Sequence, residues 1–263
     1  MIHPAQISEA LTSFTQISLD EMNNVRLMNR TDTKYVMSPD RIPGLLVKMN
    51  GNYRILEISG KRAFLYHTTY LDTPDYLFFN QHITGKLSRN KVRFRKYETT
   101  GNTFIEVKMK TNKNRTVKWR MESSLAADGT YDHDTNEFIE KHIRHRPLIL
   151  KPVLVSLFTR VTFVGVQTSE RITLDYNISY SGPDGKKGSL PAVAVLEVKK
   201  NRFCDRSVIT GILKESSFYP SGFSKYCIGH AVLNEHLRTN MLKPKLLMIN
   251  KIKNEYNRHD LTR

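Results

Sequence analysis

At 263 residues the chain is long enough for one large domain with its own core. Its 41 lysines and arginines against 25 aspartates and glutamates give a formal charge of +16, which directs attention to nucleic acid, an anionic membrane surface or a polyanionic small molecule. Two cysteines cannot staple a chain of this size, no apolar run nears the ~20 residues of a bilayer span, and MIHPAQISEALTSF lacks the pattern of a secretory signal, so a cytoplasmic protein is expected.

The first segment, Pro4 to Phe14, has the periodicity of a short amphipathic helix. Ser38 before Pro39 predicts a helix start, and Gly51 its end, although Pro43 and Gly44 weaken the interior. From Ala63 to Lys118 the pattern changes to strands: AFLYHTTYLDT, KVRFRKY, TFIEVKMK and RTVKWRM, with ETTGN and KTNKN as hairpin turns. Residues 134–146 return to helix, with Asp134 as cap and Phe138, Ile139, His142 and Ile143 as one stripe. Strands resume in KPVLVSLFTRVTFV, SERITLDYNISYSG and AVAVLEVKKN, with SGPDGKKGS read as a loop. Residues 205–217 and AVLNEHLRTNML read as helices, and NKIKNEYNRHDLTR as a loose polar tail. The fold class is α+β: one domain over 1–263, an antiparallel β-barrel decorated by helices. It divides into an N-terminal helical segment (1–25), a barrel (26–230) and a C-terminal helix with a polar tail (231–263).

Strand parity carries the functional argument. In FIEVKMK, Glu106, Lys108 and Lys110 share one face, opposite Ile105, Val107 and Met109. The same split puts Arg93 and Arg95, Lys118 and Arg120, Arg171 with Thr173 and Asp175, Glu197 with Lys199, and Arg30 with Asp32 and Lys34 on polar faces, and Arg160 stands opposite apolar neighbours. One reading is a solvated sheet face. The sharper one is a barrel with a polar lumen that is wet or holds a dense polyanion, because unpaired buried cations each cost several kcal/mol. Arginine's two-pronged donor geometry suits phosphate, and the sparse carboxylates Glu106, Glu197, Asp32 and Asp175 would orient the cations or hold Mg²⁺ or Mn²⁺. A nucleic-acid binder would interleave exposed aromatics with cations, whereas the aromatics here fall mostly on the apolar parity.

The ordered motifs RTDTKYVM, YLDT, KVRFRKY, FIEVKMK, TVKWR, LFTRVTF, ERITLD, VLEVK and SGFSKY, over about residues 26–230, resemble the vacuolar transporter chaperone (VTC) family. The resemblance implies a polyphosphate polymerase domain of the triphosphate tunnel metalloenzyme, or CYTH-like, superfamily: a basic tunnel that moves the terminal phosphate of ATP onto polyphosphate. It implies phosphate contacts from Lys34, Arg93, Arg95, Lys108, Lys118, Arg120, Arg160, Arg171, Lys199 and Lys225. It further implies a Mn²⁺ or Mg²⁺ ion at Glu197, with Glu106 as a second metal candidate. Phe158 departs from the tyrosine common at its position in the family, and Arg30-Thr-Asp32-Thr-Lys34 departs from the superfamily's ExExK strand. The eukaryotic assemblies also carry an SPX-like domain and a membrane anchor. Neither is expected here, so moving a product across a membrane would need an unidentified membrane partner.

Hydrolysis of tripolyphosphate or a nucleoside triphosphate, cyclisation, and a non-catalytic polyphosphate or nucleic-acid binder are the competing readings. His67, His82, His133, His142 and His145 lack metal-ligand spacing, Cys204 and Cys227 read as packed thiols, Trp119 as wall or core, and Asp72 as a turn residue.

Overall fold

The computed structural model describes residues 4–24, 30–113, 115–143, 149–201, 207–234, 237 and 239–261. In chain order the elements are α1 (Pro4–Thr12), β1 (Gln16–Ile17), α2 (Leu19–Asn24), β2 (Arg30–Met37), α3 (Ile42–Met49), β3 (Tyr53–Leu56), β4 (Phe64–Asp72), α4 (Leu77–Ile83), β5 (Arg89–Tyr97), β6 (Thr103–Lys110) and β7 (Thr116–Glu122). There follow α5 (His133–His142), β8 (Lys151–Gly165), β9 (Glu170–Ser181), β10 (Lys187–Leu190), β11 (Ala194–Asn201), α6 (Val208–Glu215), α7 (Lys225–Leu233) and α8 (Lys243–Leu261).

The strands form one sheet in the order β2-β11-β9-β8-β4-β5-β6-β7, antiparallel at every step. β3 and β10 add to β8 and β9, and β1 pairs in parallel with β3. The expected antiparallel barrel architecture is present as a curled half-barrel. β2 and β7 end the path and do not pair with each other, so the wall has a seam.

Strand alternation sorts the side chains. Tyr35, Met37, Val161, Phe163, Ile172, Leu174, Leu196 and Val198 form the convex side of one half and pack on Ile7 and Leu11 of α1, Leu45, Leu46 and Met49 of α3, and Ile209 and Leu213 of α6. Val92, Phe94, Ile105 and Val107 do the same for the other half, against Phe78 of α4 and Ile139 of α5. A third cluster lies on the concave side. Val36, Tyr70, Leu154, Phe158, Tyr180 and Val195 meet Tyr226, Ile228 and Leu233 of α7. This helix therefore closes part of the concavity with apolar packing and leaves the rest to charge.

Local corrections follow from side-chain chemistry. Ser38 precedes a 3-10 turn, Pro39–Arg41, and its hydroxyl bonds Asp40 instead of capping. Asp132, not Asp134, caps α5 by accepting the Thr135 N–H at 2.8 Å. The segment read as a loop contains most of β10, and the segment read as a loose tail is helical as far as Leu261. Leu242, Leu246, Ile249 and Ile252 repeat at helical spacing and pack on the α7 cluster. Asp72 is fully buried; it accepts N–H bonds from Thr73, Phe78 and Phe79 and the hydroxyl of Tyr226, and so ties the start of α4 to α7. No described helix is long and apolar enough to cross a membrane.

Gly229 lets α7 lie against the sheet. A Cβ there would sit 2.6 Å from Tyr180 Cδ1 and 2.7 Å from Leu154 Cδ2. Gly229→Ala is therefore expected to destabilise the fold by ~1–3 kcal/mol through overpacking, despite alanine's better helix propensity. Gly211→Ala in α6, where nothing lies within 4 Å, should stabilise by ~0.5–1 kcal/mol. Urea unfolding of the two variants checks the contrast.

Candidate functional site

The concave face is built by register. On β5, Lys91, Arg93 and Arg95 alternate with the buried Val92 and Phe94. On β6, Glu106 and Lys108 alternate with Ile105 and Val107. Pairing then aligns Arg93, Glu106 and Arg120 in one cross-strand row, and Lys91, Lys108 and Lys118 in the next. From the other half come a row of Lys34, Glu197, Thr173 and Thr162, and the pair Asp175 and Arg160.

Three carboxylates hold this face together. Glu106, 1% exposed, takes Arg93 Nε at 2.7 Å and Lys118 Nζ, with Arg95 at 3.8 Å. Burial alone would raise its pKa, but Arg93, Arg95 and Lys118 hold it far below the ordinary carboxylate range. Asp175 takes Arg160 in a two-pronged pair, Nε at 2.6 Å and Nη2 at 2.7 Å, together with Lys225. Its pKa too is held down against burial by Arg160 and Lys225. Glu197 pairs with Lys199 and lies 3.9 Å from Lys34, and these cations depress it against burial.

Positive charge exceeds what these carboxylates neutralise. The Lys108 side chain makes no hydrogen bond or ion pair among the described residues and stays open to solvent at the mouth of the face; partial desolvation, Arg93 and Lys34 lower its pKa, against Asp32 and Glu197. Lys91 reaches only the Ser224 hydroxyl, at 3.4 Å, and the Tyr226 ring. Burial brings its pKa down to about 7; Cys227 of α7 opposes this, while Lys34 of β2, Lys108 of β6 and Arg93 of β5 add to it. Arg95 is buried, and its Nε meets no acceptor among the described residues; nor do the hydroxyls of Thr68 and Thr173. These are buried polar atoms left without a partner, in residues that share the parity of the concave face.

The chain matches the VTC domain family over residues 29–234. It belongs to that family. No curated protein matches it. Among solved structures, this VTC domain is similar to the Hippeastrum protein HpAC1, whose structure carries a description of dominant triphosphatase activity. That similarity has 13% identity and a TM-score of 0.47, covering 81% of this chain and 99% of that one. A Bacillus halodurans protein named for adenylate cyclase has 13% identity and a TM-score of 0.46, over 75% and 96% of the two chains. The PH1012 protein of Pyrococcus horikoshii has 11% identity and a TM-score of 0.40, over 78% and 100%.

In this VTC domain most of the sequence-predicted residues converge. Lys34, Arg93, Arg95, Lys108, Lys118, Arg160, Lys199 and Lys225 interact with the three carboxylates or with one another. Two stand apart. Arg120 is exposed on the edge strand β7, with its guanidinium 4.9 Å from the Phe104 ring centroid. Arg171 shares the concave parity, two positions from Thr173, but its Nη2 donates to the Met22 carbonyl at 2.8 Å. Sequence reasoning missed Lys91, whose signal was its parity with Arg93 and Arg95. It also missed Tyr66, which stacks on Phe158 and lies under Arg95 and Arg160. Phe158 itself carries Lys225 Nζ 4.2 Å from its ring centroid, a cation–π contact where a hydroxyl would have offered a hydrogen bond.

The bland readings hold for several residues. His82 hydrogen-bonds the Asn90 carbonyl, and burial pushes its pKa down to about 2. Cys227 is a buried thiol, and Trp119 packs beside His142 in the outer cluster. Cys204 and His145 lie outside the described residues.

A divalent metal fits one of the two suggested carboxylates. Both oxygens of Glu106 are engaged by cations and the side chain is sealed, so Glu106 acts as a counter-ion. Glu197 is less enclosed, with Oε1 only loosely approached by Lys34. No group of three or more His, Cys, Asp or Glu suited to a metal occurs among the described residues. A carboxylate oxygen such as Glu197 Oε1 is a donor that suits a hard divalent cation.

Two outcomes follow. Glu106→Gln should cost ~3–5 kcal/mol in urea unfolding, because Arg93, Arg95 and Lys118 lose their shared counter-ion. Second, bound polyanion returns Lys91 toward its ordinary, higher pKa. Between about pH 7 and that value the free amine is neutral and the bound one charged, so binding takes up a proton and affinity falls as pH rises. Titration of tripolyphosphate at pH 8 in buffers of different ionisation enthalpy should show a proton balance shifted toward uptake in the wild-type chain relative to Lys91→Met, and an identical balance in the two would count against the role of Lys91.

Proposed function

We propose that this VTC domain binds the triphosphate of ATP in its concave cationic face and transfers the terminal phosphoryl group to polyphosphate. The observation that supports this most directly is the surplus of inward cations, Lys91, Lys108 and Arg95 above all, beside polar atoms that lack partners. Phosphoryl transfer needs positioning and charge neutralisation more than covalent help from the protein. Arg93, fixed by Glu106 with Arg95 beside it, and Arg160, fixed by Asp175, form rigid donor walls, and Lys91 and Lys108, which pair with no carboxylate, supply mobile charge between them. Glu197 would hold a divalent cation, which when bound would draw charge from the phosphate oxygens.

In this reading a terminal oxygen of the polyphosphate chain forms the new P–O bond as the bond from the terminal phosphorus to the bridging oxygen of ATP breaks. ADP leaves with that oxygen. No proton has to move, because the acceptor is already ionised. The state of the lumen carboxylates supports such an acceptor over water. Glu106, Asp175 and Glu197 are all held well below the ordinary range, so each is a weak proton acceptor. Asp32, paired with Arg30 at 3.1 Å near the seam, is the group that a hydrolytic reading would use to orient water.

The pure chain, incubated with ATP and Mn²⁺ or Mg²⁺, should make phosphate chains that separate from free phosphate on a gel. Free phosphate alone would identify a hydrolase, and neither product a binder. Lys108→Ala should weaken triphosphate binding by roughly 10-fold or more without loss of stability, since it breaks no ion pair. Arg93→Ala should weaken it further, but also strips Glu106 of a partner. Glu197→Gln should raise the metal requirement before it affects triphosphate binding. An unchanged requirement would remove Glu197 from the metal site.

A further inference from the structure

A cavity of about 460 Å³ opens beside the concave face, between β2, the start of β5, the Pro220–Ser224 segment and the turn that leads into α8. Its volume lies within the ~300–1,000 Å³ range of ligand sites. It is continuous with the cationic face. Lys34 lines it, and so does Ser224, the hydroxyl that Lys91 reaches. The wall is fixed to β2 twice: the Ser221 N–H donates to the Lys34 carbonyl at 2.7 Å, and Lys34 Nζ donates to the Phe223 carbonyl at 2.8 Å.

The charge of this cavity is also positive. Arg89 and Lys245 line it with Lys34, and its only lining carboxylate, Asp32, is paired with Arg30. Arg89 Nε and Ser221 Oγ are buried atoms without hydrogen-bond partners among the described residues. Lys245 belongs to α8, beyond the residues matched by the VTC family. Its Nζ rests against Gly222, 3.4 Å from where a Cβ would stand, which places the amine on the Pro220–Ser224 wall. Leu242 and Ile249 anchor this helix in the α7 cluster.

We infer that this cavity is a separate subsite for phosphate groups of a long polyphosphate chain beyond the first three, with Lys245 and Arg89 as its contacts and α8 as the element that makes the domain length-selective. The inference rests on the polyphosphate reading above. A triphosphate held by Arg93, Arg95 and Arg160 does not need Lys245. A chain that continues past Lys34 meets it.

The test is calorimetric titration of the full chain with tripolyphosphate and with long-chain polyphosphate. Lys245 is half-buried and pairs with no described carboxylate, so Lys245→Gln should fold; Lys251→Gln, exposed on the same helix, is the control. Lys245→Gln should weaken long-chain binding roughly three- to tenfold and lower its salt slope by about one, with tripolyphosphate affinity unchanged. The control should change neither. Equal weakening of both ligands, or of neither, overturns the subsite. If wild-type chain fails to bind tripolyphosphate yet binds long chains through Lys245, the tunnel reading falls and the subsite stands.

Discussion

The structure depends on a shortage of negative charge on one sheet face. Glu106 and Asp175, almost fully enclosed, each hold more than one cation, and neither can be removed without leaving arginines buried and unmatched. Those pairs are costly to desolvate, so they are weak as sources of stability. What they give is position. A guanidinium pinned at two nitrogens cannot rotate away, and its remaining N–H groups stay aimed at the lumen. Lys91 and Lys108 have no carboxylate partner, so the face combines a stiff arginine frame with two cations whose charge state responds to their surroundings.

Much of this was legible in the sequence. Alternation in KVRFRKY and FIEVKMK is a local signal, because a strand has only two faces and Val92, Phe94, Ile105 and Val107 claim one of them. What alternation does not give is register. That Lys91, Lys108 and Lys118 stand side by side follows from how β5, β6 and β7 pair, and no single strand records it. Nor does parity separate a residue facing the lumen from one at its rim, as the placements of Arg120 and Arg171 illustrate. Lys91, which opens KVRFRKY, shares the parity of Arg93 and Arg95 and was legible on the same ground.

The C-terminal helix and α4 were hidden for different reasons. In α8 the many polar residues obscured Leu246, Ile249 and Ile252, which continue the spacing begun by Leu242 in the turn before it. In α4 the first turn is secured by Asp72, six and seven residues before the amides it accepts, and Tyr76 enters the helix with φ of 57°. A cap supplied at that distance follows none of the near-neighbour patterns that mark a helix start.

The seam between β2 and β7 has a mechanical consequence. Backbone hydrogen bonds lock every other junction along the sheet path, but across this gap Lys108 meets Lys34, Asp32 and Glu197 only through electrostatic forces. Such forces weaken over a Debye length of ~8 Å at physiological ionic strength. Added salt therefore weakens the attraction of Asp32 and Glu197 for Lys108 across this gap, while the hydrogen-bonded junctions elsewhere on the path are far less sensitive to it.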